Sequence, residues 1–433
     1  MVLVAGSSWT VVTIVVGERK GGSMAERKGT VVVGGGVWGL STAYHLVRTG
    51  QTDVVVLERN GEPHRETTSQ AAGLVGQIRS TPLMRRAIRY AIDLLSGFEA
   101  ETGHDPGFRQ VGSLIVALTP ERLASYEEHV RSAGEAGVEA YFVDAPHMSG
   151  LAPHMDVSRV EGGYFVPEDG YLDPVRCAGA LGAAARDGGA EIRTGAAVTE
   201  VLVEDGRAVG VQTEGGRIEA ENVVITAGPW TGTVAKMAGY EPAMVPIRHQ
   251  RVTTARVSAI PRDHPVVRVT DVSCYLRPEN GGYLYGYFEP HPTSYDPYLP
   301  KDLRTVDIEA PVAVMEEARE RLTPIFPILG GVPVVEHKRG LTTFAPDGAY
   351  LVGPVPRMAG LFAATGCASL GIAGSASVGR WLAGWVTGGD PGEDTSPVDH
   401  ERFGEKGHDE GWVRRTSEEF YGGYYSIPSM AVS

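Results

Sequence analysis

Three glycines and one acid carry the clearest chemistry in this chain. Gly34, Gly36 and Gly39 stand as G-x-G-x-x-G, and Glu58 follows about 20 residues on. Gly34 permits a tight turn, Gly36 lets the main chain approach a pyrophosphate, and Gly39 lets a helix pack on a strand. A helix starting at that turn aims unpaired N–H groups and the positive end of its dipole at phosphate. Glu58 can accept hydrogen bonds from ribose hydroxyls. This pattern predicts a dinucleotide site. Cys177, Cys274 and Cys367 lie far apart, with no C-x-x-C or Cys/His cluster, so neither a metal site nor a disulfide framework is expected.

Such a site needs a strand, a helix and a second strand around the glycines. Residues 31–33 form an apolar run of buried-strand type. Leu40, Ala43, Tyr44 and Val47 share one helical face, and Gly50 supplies a helix stop. A second apolar run, 54–57, ends at Glu58. The loop at the end of that strand, residues 67–76, is a candidate for cofactor contacts. Met84, Ile88, Ile92, Leu95 and Phe98 predict a helix over 82–102. Residues 108–118 read as one strand, 120–136 as a helix capped by Thr119, and 146–153 as a turn-rich connection. A small-residue helix is expected over 178–185. Residues 191–225 read as a strand meander with hairpin turns at Asp205-Gly206 and Gly215-Gly216. Its last run, 223–226, is almost wholly apolar and predicts a return into a buried parallel sheet. Residues 244–287 are strand-rich and aromatic. A helix over 311–322, strands over 332–338 and 361–365, and a small-residue helix beginning in 366–387 follow. The charged tail from Asp390 is expected to wrap the surface.

Nucleotide-type segments at the start, middle and end therefore alternate with antiparallel, aromatic ones. The expected fold is α/β (α+β mixed). A discontinuous Rossmann-like cofactor domain would comprise residues 29–82, 156–240 and 338–390. An antiparallel-sheet substrate domain would comprise 83–155 and 241–337, leaving a tail at 391–433. Residues 1–28 are expected to be a disordered extension. Its apolar part lacks a preceding positive charge, which favours an upstream start over an export signal, and it is short for a membrane span. The net charge of −14 (39 basic against 53 acidic residues) disfavours nucleic acid and anionic membrane as partners. Scattered cysteines suggest a reducing, cytoplasmic compartment.

The chain resembles the FAD-dependent amine oxidoreductases of the D-amino-acid oxidase and glycine/sarcosine oxidase type. Within them it looks most like the flavin portion of dimethylglycine and sarcosine dehydrogenases. VVVGGGVWGLSTAYHL, AAGLVGQIRS, PEDGYLDP, TAGPW, FAPDGAYLVGPVP and GIAGSASVGRWLAGWV carry the resemblance. It implies FAD along Gly34, Gly36, Val37, Trp38, Gly39, Glu58 and Arg59. It also implies Ser69, Gln70, Gly73 and Leu74 near the pyrophosphate and ring, Val198 near the adenine, and Gly228 and Trp230 near the ribityl chain. Gly371 and Ile372 would close over the pyrimidine, with a helix N-terminus from Gly371, Ala373, Gly374 and Ser375 facing the charge of reduced flavin.

Departures from the family pattern carry information. Ser69-Gln70 stands where dimethylglycine-type enzymes bond flavin through a histidine. Gly340 stands where monomeric sarcosine oxidases use a cysteine. Neither Gln70 nor Gly340 can form the bond, so the FAD is expected to be non-covalent. No lysine precedes Lys301 in the segment after GYLYG, which weighs against oxidase activity, and Leu370 replaces a carboxylate-pairing lysine. The folate-binding half of those dehydrogenases is not matched, so the product carbon would leave as free aldehyde or imine. The resemblance implies hydride transfer from the C–H beside an amine nitrogen to flavin N5, with O2 or an electron-transfer partner as acceptor. Arg79 is expected to anchor either the substrate, through a carboxylate, or the flavin. Tyr285 is expected in the pocket, and His249 as acceptor of the ammonium proton. His337 is a weaker candidate, and Cys367 reads as a packing residue. Oxidation of a 2-hydroxy acid or alcohol, a non-catalytic or electron-relay flavoprotein subunit, and an NAD enzyme stay open as alternatives.

Overall fold

The computed structural model describes residues 26–79 and 81–426. The expectations for residues 1–23 fall outside them. The first block runs β1 (Glu26–Val33), α1 (Val37–Arg48), β2 (Val54–Leu57), α2 (Thr67–Gln70), β3 (Leu74–Val75) and α3 (Pro82–Thr102). Next come β4 (Arg109–Gln110), β5 (Ser113–Ala117), α4 (Pro120–Glu135), β6 (Tyr141–Val143), α5 (Ala145–Leu151), β7 (Gly162–Val166), β8 (Gly170–Tyr171) and α6 (Pro174–Asp187). The meander is β9 (Glu191–Arg193), β10 (Val198–Glu204), β11 (Arg207–Thr213) and β12 (Gly216–Ile225), closed by α7 (Thr231–Lys236). The aromatic stretch gives β13 (Val245–Thr254), β14 (Val266–Val269), β15 (Cys274–Glu279) and β16 (Gly282–Tyr287). It is followed by α8 (Val312–Leu322) and β17 (Val334–Phe344). The chain then makes β18 (Leu351–Pro354), β19 (Leu361–Thr365), α9 (Ser375–Gly388) and α10 (Glu410–Gly422).

The first sheet has the order β10-β11-β12-β1-β2-β9, with β19 beside β12 and β18 beyond it. Strands β2, β1, β12 and β19 pair in parallel, and β10, β11 and the start of β12 form antiparallel hairpins. The parallel strands are covered on both faces, which is why they read as nearly unbroken apolar runs. Helices α1, α3, α6 and α9 pack on one face, and the hairpins with α7 on the other. The second half of β12 returns to the parallel sheet between β1 and β19, as its apolar run predicts.

The second sheet has the order β17-β13-β16-β15-β14-β5-β7-β6 and is antiparallel except where β14 meets β5. Helix α8 seals one face against Tyr283, Tyr285 and Tyr287. Strands β3, β8 and β4 make a small third sheet.

Several expected boundaries move. Strand β1 starts at Glu26, because residues 26–28 pair with β12 and Lys28 Nζ lies 3.2 Å from Glu191. Strands β7 and β17 join the second sheet, whereas α3 packs in the first core. Alternation identifies a strand but not its sheet. The single strand expected over 108–118 breaks at Gly112, whose φ is 81°. Residues 145–151 are helical, since Asp144 accepts from the His147 N–H at 3.0 Å. That is an N-cap signal the turn residues obscure. Regular helix in α9 begins only at Ser375; Ala368 and Ser369 before it adopt left-handed φ of 46° and 58°. The tail is no surface wrap, because α10 buries Val413, Ser417 and Tyr421 against Phe344 and Phe288.

Candidate active site

The β1–α1 turn closes only without side chains. Gly34 has φ of 111°, and a Cβ there would stand 2.6 Å from the Thr226 carbonyl oxygen. A Cβ on Gly39 would stand 1.9 Å from the Gly34 oxygen, so this glycine serves helix–strand packing. Glu58 is buried at the end of β2. Its Oε2 accepts from the Gly35 N–H at 2.9 Å and its Oε1 from the Asn60 N–H at 2.8 Å. The carboxylate thereby ties the turn to the neighbouring strand. Thr68 Oγ1 accepts from the Val37 N–H at 3.2 Å, linking the α2 loop to the N-terminus of α1.

A cavity of about 520 Å³ extends from this cradle, within the range of ligand-binding cavities. At one end lie Glu58, Arg59, Val198 and Trp230, with the Arg59 guanidinium 3.8 Å from the Trp230 ring centroid. Gly34, Gly36, Val37, Trp38 and Gly228 line the middle. Gln70, Gly73, Leu74, Gly340, Gly371 and Ile372 line the other end. Trp38 Nε1–H donates to the Gly371 carbonyl at 2.7 Å, so α1 and the turn before α9 form one wall. The side-chain-free turn, the helix N-terminus and the buried acid at the end of β2 fit a dinucleotide cofactor. Of the expected cofactor contacts, all but Gly39, Ser69, Ala373, Gly374 and Ser375 line the cavity. Ser69 instead turns its hydroxyl back to the Arg65 and Glu66 carbonyls, each at 2.9 Å.

The far end holds the candidate catalytic groups. His249 on β13 faces the cavity between two phenols, with Tyr421 Oη 2.8 Å from Nδ1 and Tyr275 Oη 2.9 Å from Nε2. Burial, with the Arg251 charge nearby, lowers its pKa to about 4. A neutral imidazole so placed donates to one phenol and accepts from the other. It has no spare lone pair for a substrate proton, contrary to the role expected from sequence.

Tyr285 does not line the cavity. It faces α8, and strand alternation turns its neighbour Gly286 the other way. A Cβ at Gly286 would meet Tyr275 Oη at 2.1 Å. The glycine makes room for Tyr275, which lines the cavity where Tyr285 does not.

Arg79 does line the cavity, and its Nη1 donates to the Ile78 carbonyl at 3.0 Å. Its buried Nε has no partner among the described residues. Arg268 lines the same end and donates to Ser113 Oγ at 2.8 Å. His337, on the strand beside His249, is engaged by Gln250 Oε1 at 3.0 Å. Cys367 Sγ lies 3.2 Å from Thr342 Oγ1.

Sequence reasoning missed Arg268, Tyr275, Tyr424 and Tyr425. Only Tyr275 carried a signal, from its place in the aromatic run 274–288. Among the described residues no His/Cys/Asp/Glu group is disposed to hold a metal, and no helix is long and apolar enough to cross a membrane.

Comparison with known proteins agrees with this geometry. Human mitochondrial dimethylglycine dehydrogenase is 31% identical over 392 residues, covering 88% of this chain and 45% of that protein. The 4-methylaminobutanoate oxidase (formaldehyde-forming) of Paenarthrobacter nicotinovorans is 31% identical over 404 residues, 92% of this chain and 48% of its own. The chain thus spans about half the length of these curated relatives. L-proline dehydrogenase from P. horikoshii shares the fold, with a TM-score of 0.79 at 23% identity over 88% of this chain and 98% of its own. The "FAD dependent oxidoreductase" family model (DAO) matches residues 30–385, from the strand before the cradle into α9. Cradle and cavity both fall within that match, and the chain belongs to the FAD dependent oxidoreductase family, with FAD as its cofactor.

Proposed function

We propose that this chain oxidises a secondary or tertiary amine, an N-methylated amino acid or a close analogue, to an iminium that hydrolyses to amine and aldehyde. One observation carries the reading: the cavity end beyond the cradle joins aromatic rings and the His249 imidazole to the guanidinium of Arg79. Arg79 can hold a carboxylate through charge-assisted hydrogen bonds. The names of both curated relatives specify methylated amines that also bear a carboxylate, which supports the same class here.

FAD, when bound, supplies a hydride acceptor at its ring. Gly34, Gly36, Glu58 and Arg59 would hold its adenosine diphosphate, and Leu74, Gly340, Gly371 and Ile372 its ring. Gly340 and Gln70 face each other, a Cβ at 340 standing 3.1 Å from Gln70 Cβ, and neither offers a nucleophile. Both positions fit a cofactor held without a covalent bond. His249 fixes the orientation of Tyr275 and Tyr421, and the rings around it keep water from the reacting carbon.

Arg79→Ala should raise KM for a carboxylate-bearing amine by about 10- to 100-fold with a smaller change in kcat. An unchanged KM would remove Arg79 from the site. The reading as a whole is tested by steady-state turnover with an artificial electron acceptor, comparing N-methylated amino acids with 2-hydroxy acids. Amine-dependent aldehyde release is expected. Turnover of hydroxy acids alone would replace the proposal, and oxygen uptake in the same assay separates O2 from a protein electron acceptor.

A further inference from the structure

The tail that carries α10 ends in two tyrosines at the cavity. Tyr424 and Tyr425 both line it, beside Tyr275 and Phe288. Phe288 is the hub of this group. Its ring stacks on Tyr424 at 4.0 Å between centroids with an interplanar angle of 3°. It meets Tyr425 edge-on at 5.4 Å and Tyr275 at 6.2 Å. Tyr424 and Tyr425 meet each other at 5.2 Å and 82°. The arrangement is anchored: Tyr424 Oη donates to the Ala368 carbonyl at 3.3 Å, and Tyr421, one turn back, is fully buried and bonded to His249. Phe288 and Tyr424 cover one face of each other, while Tyr425 and Tyr275 stand at 83° and 61° to Phe288 along the cavity wall, and ring faces left toward a cavity attract a cation with little hydration of its own. Methylation lowers the hydration of an ammonium and enlarges its apolar surface.

We propose that Tyr424 and Tyr425, with Tyr275 and Phe288, form an aromatic cage that selects the methylated ammonium group of the substrate. The C-terminal tail is then a specificity element of the site. The inference rests on the amine reading above, but its test does not require turnover. Glycine betaine carries a quaternary ammonium and a carboxylate and has no nitrogen lone pair to oxidise. 3,3-Dimethylbutanoate has the same shape with carbon in place of the charged nitrogen. Their dissociation constants for the FAD-loaded protein can be read from the perturbation of the flavin spectrum.

Betaine should bind about tenfold more tightly than the isostere that lacks its cationic centre. Tyr424→Ala and Tyr425→Ala should each cut that preference several-fold while changing the affinity for 3,3-dimethylbutanoate less. Tyr424→Phe and Tyr425→Phe keep the ring faces and should retain it, which guards against loss of folding in the alanine variants. Equal binding of the two probes by the unaltered protein would overturn the cage, as would a preference that survives both alanine substitutions. A cage preference in a protein that oxidises no amine would leave this inference standing and refute the proposed reaction. Amine turnover without the preference would do the reverse.

Discussion

Acidification from about pH 7 to about pH 4 is expected to unfold this protein cooperatively, through four buried histidines. His45, His249, His264 and His400 are each lowered to about 4, in every case chiefly by burial. Three follow one pattern, in which one ring nitrogen faces a main-chain carbonyl and the other a phenol. For His45 these are Ser41 O at 2.7 Å and Tyr90 Oη at 3.0 Å. For His264 they are Pro265 O at 2.8 Å and Tyr283 Oη at 3.2 Å. For His400 they are Ala363 O at 3.2 Å and Tyr240 Oη at 2.8 Å. Each neutral ring is satisfied as it stands, and a second proton would have to displace a phenol hydrogen.

The sign follows from linkage. The folded pKa lies below the ordinary value of about 6.5, so the unfolded chain takes up the proton more readily. The stabilising contribution is complete above about 6.5 and is lost as pH falls toward about 4. Each histidine accounts for roughly 3 kcal/mol, and four reach the order of 10, comparable with the whole stability of a typical domain. Asp169 and Glu289, raised by burial, shift the balance the other way over part of that range. Thermal midpoints measured across this range should therefore fall steeply, and His400→Asn should make the fall shallower. A flat profile would mean that these rings are not closed off from solvent.

Glu58→Gln is the second large effect. Both carboxylate oxygens of Glu58 accept main-chain N–H groups, from Gly35 and from Asn60. An amide can accept at only one of these positions and must turn its NH2 toward the other donor. The turn loses a charge-assisted bond and acquires an opposed pair of donors, and the ribose loses an acceptor. Affinity for FAD should drop on the order of 100-fold, with a loss of about 1–3 kcal/mol in the stability of the cofactor-free protein. Reconstitution of the stripped protein, followed by quenching of free FAD fluorescence, measures the first, and thermal unfolding without FAD the second. Retention of FAD at unaltered affinity would show that the acid does not face the ribose.

Local signals made the cradle legible. Glycines, an acid and two apolar strands lie within about 30 consecutive residues, and each has a direct steric or hydrogen-bonding reason. The far end of the cavity was harder to read, because it is assembled from β13, β15, the 288 region and the tail. Tyr283, Tyr285 and Tyr287 share a face as their spacing predicts, but spacing does not say which face is the cavity. Gly286 settles it, by leaving the room that Tyr275 fills. Tyr424 and Tyr425 sit at the end of a charged segment whose composition suggests surface. Their burial depends on Phe288 and Phe344, more than 75 residues away in sequence. The helix at 145–151 was hidden by its proline and glycine, although Asp144 three residues before His147 is a capping signal.

Under the proposed function, an amine bound at the far end of this cavity gives up hydride to FAD held on the cradle. Anaerobic mixing of the FAD-loaded protein with a panel of N-methylated amino acids tests it most directly, read as loss of the oxidised-flavin absorbance. At least one member should bleach the flavin fully and release aldehyde in proportion to the flavin reduced. If no methylated amine bleaches it while a 2-hydroxy acid does, or if the chain retains no flavin to bleach, the account is wrong.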